Sequence, residues 1–202
     1  MNDDSGARRN GWAALTSVSQ GILAIEKVVA GLLLALLLTL ILLNVGTRML
    51  RMPIYWIDEA SVLTMIWLGF IGASVMIRLR IDFAVTLVQD NLTGSAAQSL
   101  RAVVSGLSLA FALGLLVMCW MWMDPLGIIG HGFDAESFAA ETFNFLYTER
   151  TQTLEWPTWL VSMVIPIFAA TLTIHTAANL VEDLRLCPKR EQEQMTTAEE
   201  AN

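Results

Sequence analysis

The sequence predicts an all-α integral membrane protein with four transmembrane helices, N- and C-termini cytoplasmic, plus an outer amphipathic segment. Three observations predict it. The 202 residues are 55% hydrophobic, against roughly 45–50% in soluble domains, with a mean hydropathy of +0.56. The excess collects in four runs that approach the roughly 20 residues needed to cross the hydrocarbon core as a helix. Lys and Arg also divide unevenly between the connecting segments. Backbone groups in lipid must bond internally, so such runs form helices or a closed barrel. The alternation that a barrel strand requires is missing.

The four spans are expected at 28–47, 55–77, 102–123 and 157–180. Pro53 marks the first turn. Asn91, Thr93, Gly94 and Ser95 form a breaker cluster before the third span. Asp124-Pro125-Leu126-Gly127 ends that span, and Pro157 is placed to start the fourth. The first run is long, follows a mixed polar stretch and lacks a small-residue cleavage site, so it reads as a retained helix. The domain reading is a cytoplasmic tail with a possible interfacial helix over 1–27, a four-helix transmembrane domain over 28–185 with an acidic outer segment over 124–155, and a disordered cytoplasmic tail over 186–202. Residues 11–27 either lie along the membrane surface or extend the first helix.

Orientation follows the positive-inside rule. Arg8, Arg9, Lys27, Arg78, Arg80, Arg101, Arg185, Lys189 and Arg190 fall on one side of a four-span chain, and Arg48, Arg51 and Arg150 on the other. Nine against three makes the first side cytoplasmic; a bacterial inner membrane is the expected location. The second span agrees: Asp58 and Glu59 sit at its outer N-terminus and Arg78 and Arg80 at its inner C-terminus, each favourable to the helix dipole.

A net charge of -7 argues against nucleic acid as a partner. Cys119 and Cys187 fall at different depths or in different compartments, so no disulfide is expected. No zinc, redox, nucleophile or phosphate-loop motif is present. The chain therefore reads as a non-enzyme without cofactors.

Four groups of residues invite a role. Arg48, Arg51, Asp58 and Glu59 form a charged collar at the first outer turn. An arginine–carboxylate pair there would brace the first two helices; docking of another subunit and simple snorkelling are the alternatives. Ala102, Gly106, Ala110 and Gly114, with Gly31 and Ala35 and with Gly69 and Ala73, have the four-residue spacing of close helix contacts in lipid. Thr171, His175, Asn179 and Glu182 share one face of the fourth span, read as a polar helix–helix contact in preference to an ion path or a haem ligand. Finally, 134–147 has the pattern of an amphipathic helix, with Asp134 as N-cap and Phe138, Thr142 and Phe145 on one face. It lies on the outer membrane surface or covers a partner, or is a flexible acidic loop.

The second span carries a resemblance. Asn44 and Arg48 close the first helix; Trp56-Ile57-Asp58-Glu59 and Trp67-Leu68-Gly69-Phe70-Ile71-Gly72-Ala73 follow; Arg78 and Val85 close the block. In this order they resemble the small permease (DctQ-like) subunit of tripartite ATP-independent periplasmic (TRAP) transporters. Asp82 and Thr86 depart from that pattern, which usually has His and Asp at these places. The resemblance implies a scaffold for a large multi-span transport subunit, which takes up a small organic acid or zwitterion driven by an ion gradient, typically sodium. A periplasmic solute-binding protein would deliver the solute. Membrane lipid is the other partner, and Arg48, Trp56, Asp58, Glu59, Trp67, Gly72 and Arg78 are the candidate interface or structural residues. The alternatives are a membrane anchor of an electron-transfer complex and a small oligomeric channel.

Overall fold

The computed structural model describes residues 3–80, 95–184 and 186. It is helical, and the described residues include four helices long and apolar enough to cross a membrane. Asn91, Thr93 and Gly94 of the breaker cluster, Asp82, Val85, Thr86 and the tail from 187 lie outside the described residues, and Ser95 is helical.

Helix α1 runs unbroken over Asp3–Met49. At 1.5 Å per residue it is about 70 Å long, twice the hydrocarbon thickness of about 30 Å. The expected boundary at residue 27 has no break in the backbone, and the stretch 3–10, expected as tail, is helical. Physically, 3–49 holds no proline, and isolated glycines cost only about 1 kcal/mol each. Burial of Thr16, Ser19, Leu23 and Glu26 at spacings of three and four also holds the extension against the bundle. At the other end Arg51 takes a left-handed conformation (φ 57). The Met52 amide bonds the Thr47 carbonyl at 2.9 Å and the Arg51 amide the Arg48 carbonyl at 3.1 Å. These two bonds satisfy carbonyls left over at the helix end, and Pro53 follows to forbid continuation.

Helix α2 spans Trp56–Leu79 and α3 Ser95–Met123, the latter starting seven residues before the expected 102. Two short helices follow, α4 over Pro125–Gly130 and α5 over Ala135–Thr142. The last span is in two pieces, α6 over Thr158–Ser162 and α7 over Val164–Asp183. Pro166 explains the division: it has no amide for the Ser162 carbonyl, and its ring crowds that carbonyl.

Helix α7 touches α1, α2 and α3, and α1 also packs on α2. It is the axis of the bundle and its most enclosed span. Ala112 of α3 and Ala169 and Ala178 of α7 are wholly buried, so small side chains do supply close contacts. The expected glycines supply none within the chain. A Cβ added at Gly31, Gly69, Gly72, Gly106 or Gly114 would meet nothing within 4 Å. These positions face outward within the single chain.

Candidate functional site

The collar forms across the first turn. Asn44 and Arg48 lie one helical turn apart on α1, so both reach Asp58 in the first turn of α2. Arg48 Nη2 sits 2.6 Å from Asp58 Oδ2, Arg48 Nε donates to Asn44 Oδ1 at 2.9 Å, and Asn44 Nδ2 donates to Asp58 Oδ1. The three side chains close a ring. More than half of the Arg48 and Asp58 side chains is exposed, so in water the pair would contribute only about 0–1 kcal/mol. Trp56 and Arg51 are exposed, while Ile57, next to Trp56 in the chain, is buried.

Glu59 leaves the collar and bonds a different part of the chain. Its carboxylate accepts from the amides of Gln152, Thr153 and Leu154 at 2.7–2.8 Å and from Thr153 Oγ1 at 2.6 Å. These amides belong to a loop closed by the Arg150–Pro157 bridge. Trp67, two turns further along α2, donates Nε1 to the Val161 carbonyl at 3.0 Å, beside the α6–α7 break. One face of α2 thus holds the whole approach to the last span.

At the far end of the bundle the polar stripe of α7 is spent on other helices. Arg78 is fully buried. It pairs with Glu182 through both nitrogens, at 2.7 and 3.2 Å, and donates to Asn179 Oδ1. Asn179 Nδ2 in turn donates to the Ile77 carbonyl at 2.9 Å. Next to it, Arg80 Nη1 meets Asp183 Oδ1 at 2.6 Å, and Ser105 of α3 donates to Asp183 Oδ2 at 2.6 Å. A second layer joins α1. His175 Nε2 lies 3.0 Å from Glu26 Oε2 and Nδ1 2.7 Å from Ser19 Oγ. Glu26 Oε1 accepts from Ser74 Oγ, which also contacts Thr171 Oγ1. Buried charge is tolerated only when paired and hydrogen-bonded, and both layers meet that condition across helices.

Sequence reasoning placed Arg78, Thr171, His175, Asn179 and Glu182 but missed Ser19, Glu26 and Ser74. Their signal was present: Ser19 and Glu26 are seven apart, and Ser74 and Arg78 four apart, polar positions recurring on one helical face.

The outer segment is compact. Asp134 caps α5, accepting from the Glu136 and Ser137 amides and from Ser137 Oγ. Helix α5 stops at Thr142, sooner than expected, because Phe143 turns left-handed. Phe138 is buried, edge-on to His131 and Tyr147, whereas Phe145 is exposed. The Gly127 carbonyl and the Glu141 carboxylate both hold His131 above the usual histidine range. The Ser137 hydroxyl and the cap amides hold Asp134 below the usual carboxylate range. Burial, with the Asp124 carboxylate, pushes the Tyr147 phenol up.

This arrangement bears on the electron-transfer alternative. His175 has both ring nitrogens engaged by Ser19 and Glu26, and His131 has both engaged by Gly127 and Glu141. Neither offers a nitrogen to a haem iron without breaking a contact.

The family model for the DctQ component of tripartite ATP-independent periplasmic transporters matches residues 37–186. No curated protein and no solved structure matches the chain. The matched stretch takes in the Asn44–Arg48–Asp58 ring, Glu59 and its loop, and the Arg78–Asn179–Glu182 layer. The chain belongs to the DctQ family and is the small membrane component of a TRAP transporter.

Proposed function

We propose that this subunit is a non-catalytic scaffold. It holds the large multi-span transport subunit in a bacterial inner membrane and helps dock a periplasmic solute-binding protein. The complex would use an ion gradient to take up a small organic acid or zwitterion. Both termini lie in the cytoplasm, so the Arg48 end of the bundle faces the periplasm. Arg48, Asp58 and Glu59 organise that end, Trp56 and Trp67 pack it, and Gly72 lies on an outward face of α2.

The observation that carries this reading is how the polar side chains are used. Arg78, Asn179, Glu182, His175, Glu26 and Ser74 bond to one another across helices. A transporter's own substrate site needs polar groups directed at a ligand at mid-membrane; here they fasten helices. The remaining surface of α1 is apolar and exposed over Leu32, Leu36, Ile41 and Val45, suited to lipid and a membrane partner.

The test is solute uptake by cells lacking this chain. Loss of uptake, with the large subunit's abundance reduced, supports a scaffold. Unchanged uptake, or solute flux through this chain alone in liposomes, contradicts it; the latter favours the channel alternative.

A further inference from the structure

The outer segment turns back onto the ends of two membrane helices. The apolar run 102–123 measures about 33 Å along the helix axis, close to the hydrocarbon thickness. Trp122 and Met123 therefore stand where hydrocarbon gives way to headgroups. The carbonyls there have no partner within α3. Asn144 Nδ2 donates to the Trp122 carbonyl and Tyr147 Oη to the Met123 carbonyl, each at 2.7 Å. Residues 143–147 are thus fixed level with the last turn of α3. Glu59 does the same for the second half of the segment, holding residues 152–154 at the first turn of α2.

The aromatic side chains left at that level point away from the protein. Phe143 is 80% exposed, and Phe145, Trp156 and Trp122 are also exposed. Poor internal packing is not the reason, because Phe138, Leu146 and Ile128 of the same segment are buried. Phe143 has a φ of 57, a conformation where glycine is usual after a helix. An aromatic in that strained place needs surroundings that favour it.

We propose that the segment 124–157 lies in the headgroup–acyl boundary of the leaflet at the Arg48 end, with Phe143, Phe145 and Trp156 inserted. The surface is continuous with Trp56 and Trp122 on two spanning helices. Aromatic rings with this distribution are the pattern of a membrane-interface belt, which identifies the partner as lipid. The segment then widens the footprint of a narrow bundle at one leaflet, and its acidic residues remain available to water.

The experiment is nitroxide accessibility on the full chain in phosphatidylethanolamine–phosphatidylglycerol liposomes. Labels are placed at F143C, F145C, E136C and, on the lipid-exposed inner half of the third span, L107C, with Cys119→Ala and Cys187→Ser removing the native thiols. Relaxation by oxygen exceeding that by a nickel chelate at 143 and 145, as at 107, with the reverse at 136, is expected. Two results would overturn the proposal: nickel access at 143 and 145 equal to that at 136, or shielding from both reagents, which marks a protein contact.

Discussion

Arg78 of α2 and Glu182 of α7 meet as a two-pronged ion pair, Nη2 to Oε1 at 2.7 Å and Nη1 to Oε2 at 3.2 Å, with the arginine wholly shielded. Removing either partner takes the strongest contact from a buried charge, leaving Glu182 with Arg80 at 3.7 Å and Arg78 with Asn179 among its contacts. The cost approaches that of a broken buried pair, about 3–5 kcal/mol. Arg78→Met and Glu182→Leu should each lower the unfolding temperature of the purified subunit. The double variant should recover much of the loss, because it buries no lone charge. Thermal unfolding monitored by size-exclusion chromatography checks this; a double variant as unstable as the sum of the singles would contradict it.

Glu26 and His175 join α1 to α7 at 3.0 Å. Glu26→Ala leaves His175 Nε2 without its partner, costing about 1–3 kcal/mol for the buried group left unsatisfied, while Ser74 Oγ keeps its contact with Thr171 Oγ1. The extension of α1 before residue 28 should then exchange its amides faster, while α3 is unchanged. Hydrogen exchange with mass spectrometry reads both in one sample; equal protection of the extension in the variant would show that the layer does not hold it.

Glu59 is bonded to three consecutive amides and a hydroxyl. Glu59→Gln weakens all four contacts and should raise exchange over 151–155 without unfolding α2. Glu59→Arg, which reverses the charge opposite those amides, should reduce recovery of the assembled complex and solute uptake. Wild-type complex yield and uptake from the Glu59→Arg variant would rule out a part for Glu59 in assembly.

The outer segment should respond to pH from both sides. His131 is raised above 6.5, so its contribution is complete below that value and fades as pH rises through the folded pKa. Asp134 is lowered below 3.8, so its contribution is present above that value and lost in acid. Protection of the α5 amides, corrected for intrinsic exchange, should be greatest between about pH 4 and 6.5 and fall toward pH 8. Glu141→Gln should flatten the alkaline side. A profile in the variant identical to wild type would remove His131 as the cause.

Much of the bundle was legible because the signals are local. Four apolar runs, Pro53 after α1, and the acidic start and basic end of α2 each act within a turn or two. Arg48 and Asp58 were readable as a pair because only one tight turn separates them. Glu59 was not readable in the same way. Its partners are backbone amides 93–95 residues away, and an amide carries no residue signature. The Glu26–His175 contact spans 149 residues and depends on α1 remaining straight through the expected boundary. Pro166, which divides α6 from α7, interrupts a run whose apolar composition alone gives one continuous span. The glycine spacings predict a close helix contact either within the chain or with a partner, and no neighbour within the chain stands opposite them. Whether a neighbour stands opposite is decided by the packing of other helices.

The central claim, that this chain scaffolds a larger transport subunit, is tested most directly by co-purification. The tagged chain is extracted from its host in mild detergent and its companions are identified by mass spectrometry. The account predicts one large many-span protein recovered in roughly equal amount. Recovery of this chain alone, as a stable oligomer, would contradict it.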